Sequence, residues 1–495
     1  MSKASRFLLA SALAIVLSSA AAQTLRAGFA AQPDTLDPHA TSATSSFQTM
    51  KSIYDTLVEV NRAGEIVPAL ASSWTISDDS LTWTFELVEG VSFHNGDTLT
   101  SADVIATFSR LQDPDVASPK AVEFRNIVSM EAQDEHTVVF QLDVPTPALL
   151  ASFASGWGAI LPASLIEAGH DFGNDPVGTG PFTFERWVRD SSLELATFGD
   201  YYRGPAAIDG VHMTFVTDSA IQLQGLTSGQ FDVIDQPASA DIPTIEANPQ
   251  LKTTVGPSGL VNVAAMNGRR EPFDNVQVRQ AMNLAVDTDV INTVAYGGGY
   301  SVGSFMEAGS PWLPEDLEPW PYDPERAREL LAEAGYPDGF TFTLTLPQLY
   351  AAHVLAGQII QSQLAEVGVT AEIEIVEWGV WLNEVYSNDY DFDMTVVGHT
   401  GKLDPTGRLG GYSDDDNYVN FSTPELADAL NAAATTSDHA LRQELYAEAL
   451  WIIHDNAPWI FLGTPNARTT TRANIDGFWI TPLLDSFNFY DVVIN

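Results

Sequence analysis

The residues whose types could do chemistry concentrate in one short run, Gly398-His399-Thr400-Gly401-Lys402, followed by Leu403 and Asp404. The chain has 22 Lys and Arg against 65 Asp and Glu, so a cation in a loop is uncommon here. Two uses stand side by side for Lys402. It can pair with Asp404 or Asp391, a contact worth little when exposed. It can also receive an anionic ligand through a charge-assisted hydrogen bond. Nine histidines are scattered with no pair at the H-x-x-x-H spacing of a metal site. Of these, His399 is the one in a predicted strand-end loop, where ligand contact is expected. No G-x-S-x-G elbow and no phosphate-binding G-x-x-x-x-G-K-[ST] occurs. Gly178-Thr179-Gly180 and Gly297-Gly298-Gly299 lack dinucleotide spacing and read as turns. The carboxylates are too numerous for any two to be singled out as an acid and base, and a solvated acidic surface accounts for them. The lack of any nucleophile motif discriminates against an enzyme, and no cofactor is expected.

The elements that must position this run are legible between 323 and 398. Asp323 caps a helix that has Pro324 at its first position and an apolar stripe of Ala327, Leu330, Leu331 and Ala334, and Gly335 stops it. Phe342, Leu344 and Leu346 alternate as a strand, a helix of about Ala351 to Val367 follows, and Ala371, Ile373 and Ile375 mark a second strand. A short helix around Val380 to Tyr386 leads to a third strand, Phe392 to Val397. Strand–helix–strand–helix–strand predicts a parallel sheet with crossover helices. Ligands of open parallel sheets lie beyond the carboxyl ends of the strands. The three loops there hold Tyr350, then Trp378, then His399, Thr400, Gly401, Lys402 and Asp404. Trp378 is the preferred aromatic wall, whereas Trp83 and Trp381 lie in apolar patterns and read as packing. Asp34, in the turn-rich run after a first strand at 25–30, joins the candidate contacts. Earlier, Leu81, Trp83, Phe85 and Leu87 alternate as a half-buried strand, Asn95-Gly96 marks a tight turn, and Thr100 with Asp103 predicts a helix start.

The whole chain bounds what the ligand and the setting can be. At 495 residues and a formal charge of −43, it is long enough for roughly three domains. The acidity excludes nucleic acid and peripheral attachment to anionic lipid. There is no cysteine, which removes disulfides, thiolate sites and thioether lipid anchors. Residues 1–22 have the form of a secretory signal: Lys3 and Arg6, an apolar stretch from Phe7 to Leu17, and Ala20-Ala21-Ala22 before a cut. Without Lys3 and Arg6, 20 basic residues face 65 acidic ones, a charge of −45. Gln23 in place of a cysteine predicts an unlipidated, freely soluble periplasmic product that does not insert in the membrane.

A resemblance then gathers these pieces. Pro68-Ala69-Leu70-Ala71-Ser72-Ser73-Trp74, Leu81-Thr82-Trp83-Thr84-Phe85, Gly90-Val91-Ser92-Phe93-His94-Asn95-Gly96 and Ala102-Asp103-Val104 resemble the signature region of the peptide/nickel family (family 5) of bacterial extracytoplasmic solute-binding proteins. So do Gly178-Thr179-Gly180-Pro181-Phe182, Pro272-Phe273-Asp274-Asn275 with Val278-Arg279-Gln280-Ala281, and Asp391-Phe392-Asp393-Met394. The resemblance implies an α/β, two-lobed periplasmic-binding-protein fold with a hinge and an inserted subdomain. Lobe I would comprise 23–54, 175–262 and 465–495, the insertion 55–174, and lobe II 263–464. It further implies a monomer that encloses a small-molecule or peptide ligand and delivers it to the membrane permease of an ABC importer. Peptide-binding members carry an Asp, paired with the peptide's amino terminus, in the loop matching Gly398 to Lys402. Here Lys402 is the best match, and a shift of two would bring Asp404 there instead. Peptides, opines, sugars and metal chelates all remain open, as do a secreted hydrolase and a sensor-coupled binding protein without transport.

Overall fold

The computed structural model describes residues 23–235, 237–387, 390–480 and 487–495, so the proposed signal at 1–22 lies outside the described residues. The chain opens on strand Thr24–Phe29, which pairs in parallel with Gly210–Phe215 and with Val233–Asp235. Ser192–Thr197 and Phe182–Val188 extend this sheet in antiparallel fashion. One hydrophobic core gathers Leu25, Ala27, Phe29, Phe47, Val211, Val233 and Phe489 under these strands.

A second core belongs to the segment around 57–160. Its four-stranded antiparallel sheet runs Ala71–Ile76, Thr82–Leu87, Thr137–Leu142, Ile127–Ala132. The alternation at Trp83, Phe85 and Leu87 turns those side chains inward, where Phe85 meets Phe140 and Phe153 edge-on at 5.6 and 5.2 Å. Helix Ser101–Gln112 covers the sheet and is nucleated by a capping box, with the Thr100 N–H donating to Asp103 Oδ2 at 2.7 Å.

The other lobe holds the parallel unit. Thr341–Pro347 pairs in parallel with Thr370–Val376 over its full length and with Met394–His399 on its other side. Helix Pro324–Glu333 starts where Asp323 Oδ1 accepts the Arg326 N–H at 3.0 Å and ends before Gly335, whose φ is +98°. Helix Ala351–Glu366 makes the first crossover. The expected short helix begins two residues early, at Trp378–Trp381, and widens into a π-turn over Leu382–Ser387.

One strand, Trp459–Arg472, belongs to both lobes. Its first residues pair with Val261–Met266 and its last with Leu251–Pro257 and Val233–Asp235. Gly463 sits at the change-over with φ +125°, and a Cβ there would stand 2.4 Å from the Tyr300 carbonyl. The molecule is therefore two α/β lobes, one carrying an inserted subdomain, joined by a continuous strand and by the crossing at Ser258–Leu260.

Candidate functional site

The three strand ends of the parallel unit converge. Tyr350 packs edge-on against Trp378 at 5.2 Å, Trp378 stacks on Trp381 at 5.0 Å, and Trp381 stacks on Tyr386 at 5.5 Å. Tyr386 reaches Tyr418 at 5.1 Å. Within this row Tyr350 is 44% and Tyr386 36% exposed, while Trp381 between them is 2% exposed and donates its Nε1–H to Thr395 Oγ1 at 2.9 Å. An aromatic wall of this kind offers broad apolar contact with few polar demands.

His399 stands at the inner end of the row. The Tyr418 hydroxyl accepts from Trp459 Nε1 at 2.7 Å and lies 2.8 Å from His399 Nε2. Burial, and then the positive charges of Arg408 and Lys402, hold the His399 imidazole down to about 3, so it stays neutral. Phe305 packs edge-on against the His399 ring at 4.7 Å.

Lys402 reaches across the molecule. Its Nζ lies 5.6 Å from the ring centroid of Trp157, which belongs to the inserted subdomain. Trp157 is itself fixed by donating to Glu123 Oε2 at 3.0 Å and lies under Lys120 Nζ at 4.1 Å. The two carboxylates weighed as partners for Lys402 are committed elsewhere. Asp404 accepts from Arg442 at 2.8 Å and from the Thr406 N–H and hydroxyl at 3.0 and 2.7 Å, and Asp391 pairs with Arg270. The Asp404–Arg442 pair is buried, with side chains 11% and 6% exposed, which makes it a strut for the loop.

The remaining candidates divide. Thr400 offers its carbonyl to Arg408 Nη2 at 3.2 Å, and Gly401 completes the loop before Lys402. Asp34 lies in the opposite lobe, where it accepts from Thr41 Oγ1 at 2.9 Å, from the Thr35 N–H at 3.0 Å and from the Ser46 hydroxyl, bonds that order its own turn. Sequence reasoning missed Trp157, Tyr386, Tyr418 and Arg408. Arg408 carried a usable signal, since it is another of the few cations, six residues beyond Lys402. Trp157, in Gly156-Trp157-Gly158, carried none, because its relevance depends on contact between lobes.

Two α/β lobes, with aromatic side chains and a cation gathered at the ends of parallel strands, are the architecture in which ligands bind beyond the carboxyl ends of the strands. Residues 65–420 match the bacterial extracellular solute-binding proteins, family 5 Middle, and the chain belongs to that family. The family is one of binding proteins rather than enzymes. The glutathione-binding protein GsiB of Pectobacterium atrosepticum is 31% identical over 460 residues, covering 90% of each chain. Among solved structures, the ABC transporter-associated periplasmic binding protein DppA from Helicobacter pylori, in complex with peptide STSA, superposes with a TM-score of 0.81 at 27% identity, covering 95% of this chain and 98% of that one. The binding protein AgaA from A. tumefacien R10, in complex with agropinic acid, gives 0.79 at 28% identity and covers 95% and 99%.

Proposed function

We propose that this protein captures an acidic, peptide-like solute between its lobes in the periplasm and delivers it as a monomer to the permease of an ABC importer. The observation that carries the ligand class is Lys402, a cation on the strand-end loop that faces Trp157 of the opposite lobe. A solute carboxylate at Lys402 would touch both lobes and favour the closed arrangement. The aromatic row from Tyr350 and Trp378 inward supplies the wall for its apolar part. Asp404 is held by Arg442, which speaks against its acting as an amine receptor and favours an acid over a free-amine peptide contact in this loop. Relatives named for glutathione, a peptide and agropinic acid support the same class. One hydrophobic core confined to 57–160 and two confined to 261–462 support an insertion of 55–174 and a lobe II of 263–464, with lobe I as 23–54, 175–262 and 465–495. The form of residues 1–22 supports export without lipidation.

Titration calorimetry with glutathione, the tetrapeptide STSA and agropinic acid tests the reading. At least one acid should bind, and Lys402→Met should weaken it by about tenfold to a hundredfold, the range of a lost charge-assisted hydrogen bond. Trp378→Ala should also weaken it while leaving the melting temperature in place. No binding by any of the three, or equal affinity in Lys402→Met, would sink the acidic-solute reading.

A further inference from the structure

A second cation stands behind Lys402. Arg408 lies on the short helix Thr406–Leu409, and its side chain is 2% exposed. Its Nη2 donates to the Gly259 carbonyl at 3.0 Å, to Glu307 Oε2 at 3.1 Å and to the Thr400 carbonyl at 3.2 Å. Gly259 lies in the crossing between lobes and Thr400 in the strand-end loop, so these bonds hold the guanidinium where hinge and cleft meet. Its Nε and Nη1 are buried and, among the described residues, have no hydrogen-bond acceptor. Together they carry three N–H protons. A buried donor left unmade on a charged group is costly, and native structures retain one where an ion, a water or a ligand completes it. Phe305, with its ring centroid 5.5 Å from the guanidinium carbon, offsets only part of this through its π face. Glu307 already engages Nη2, so an acceptor for Nε and Nη1 must come from elsewhere.

Water could satisfy these protons, but the surroundings favour an anion. His399 is held neutral chiefly by burial, with Arg408, Lys402 and His353 adding to the effect. The groups facing this corner are otherwise aromatic: Phe305, Tyr386, Tyr412 and Tyr418. Glu307 balances one of the two cations, Arg408 and Lys402, and the planar guanidinium face left at Nε and Nη1 suits an oxyanion.

We propose that Arg408 is a second anion receptor at the hinge, distinct from Lys402, and that the solute carries two acidic groups, one read by each cation. This rests on the acidic-solute reading of the same cleft. Glutathione, with two carboxylates, is the probe, compared by calorimetry with its glycyl monoester and its glutamyl monoester. Wild type should bind each monoester about tenfold or more weaker than the diacid. Arg408→Gln should weaken glutathione to a similar degree, and that effect should vanish with one monoester, while the effect of Lys402→Met vanishes with the other. A monoester that binds as tightly as glutathione overturns the inference without variants, which guards against an Arg408→Gln protein that fails to fold. So does the loss of both substitution effects with the same monoester, which means one shared carboxylate and leaves the acidic-solute reading standing. The monoacid STSA binding as tightly as glutathione overturns it likewise. No binding of glutathione, STSA or agropinic acid removes the acidic-solute reading and this inference together.

Discussion

Asp235 ends the parallel strand Val233–Asp235, and its Oδ1 is buried without a hydrogen-bond donor. Burial pushes its carboxyl up to about 6. The folded protein therefore holds this proton more tightly than the unfolded chain does. Folding is penalised by the ionised carboxyl above pH 6, and the penalty fades as the pH falls toward the ordinary carboxylate value near 4. Asp235→Asn should raise the melting temperature at pH 8, by the equivalent of up to about 3 kcal/mol for a shift of about two pK units. That advantage should shrink steadily between pH 7 and pH 5 in thermal melts. An advantage independent of pH would show that the gain comes from packing. Asp404, by contrast, has a cationic partner, since it accepts from Arg442 at 2.8 Å.

Among the elements, the segment Gly178-Thr179-Gly180 does more than turn the chain. It threads between Ile53–Tyr54 and Phe93–His94. The Gly180 N–H donates to the Ile53 carbonyl at 2.9 Å, and the Gly178 carbonyl accepts the His94 N–H at 2.9 Å. A Cβ at Gly180 would meet the Ile53 carbonyl carbon at 2.5 Å, and one at Gly178 would meet the Ile53 oxygen at 2.3 Å. Neither contact involves a flexible side chain, so the backbone itself would have to move. Gly180→Ala is expected to cost about 1–3 kcal/mol, the range of overpacking. A lower melting temperature, with glutathione affinity unchanged below it, is the expected result. Unaltered stability would mean that the seam between insertion and lobe yields freely. The capping box at Thr100 and Asp103 and the stop at Gly335 are the same kind of device, small residues setting where an element begins, bends or ends.

At the scale of the molecule, contacts bridge the lobes on either side of the cleft. Lys402 faces Trp157, and the Ser80 hydroxyl donates to that of Ser437 at 2.6 Å. These are small contacts, far less extensive than the packed cores within each lobe, so the free protein should open about Ser258–Leu260 and Gly463–Pro465. A solute touching both sides shifts that equilibrium by its differential affinity for the closed form. Small-angle scattering should therefore show a smaller radius of gyration with saturating glutathione than without. An unchanged radius under conditions where calorimetry shows saturation would contradict hinge closure.

How much of this was readable beforehand depended on distance along the chain. The parallel unit at 341–399 was legible because each strand and helix announces itself within a dozen residues, through period-2 or period-3.6 burial and through caps at Asp323 and Gly335. Once those elements are parallel, the chain ends of the strands must lie together, and so Tyr350, Trp378 and His399 could be grouped without coordinates. The signature motifs likewise determined the family. Only the tertiary structure decided who partners whom. Asp404 chose Arg442, 38 residues on, over Lys402 two residues away, because helix His439–Asn456 packs its Arg442 against the loop. Lys402 met Trp157, and Arg408 was left with unmet donors beside Gly259, through the folding of one lobe onto the other. Local periodicity encodes which face of an element is buried. It does not encode which distant side chain arrives there, because that follows from how whole lobes pack.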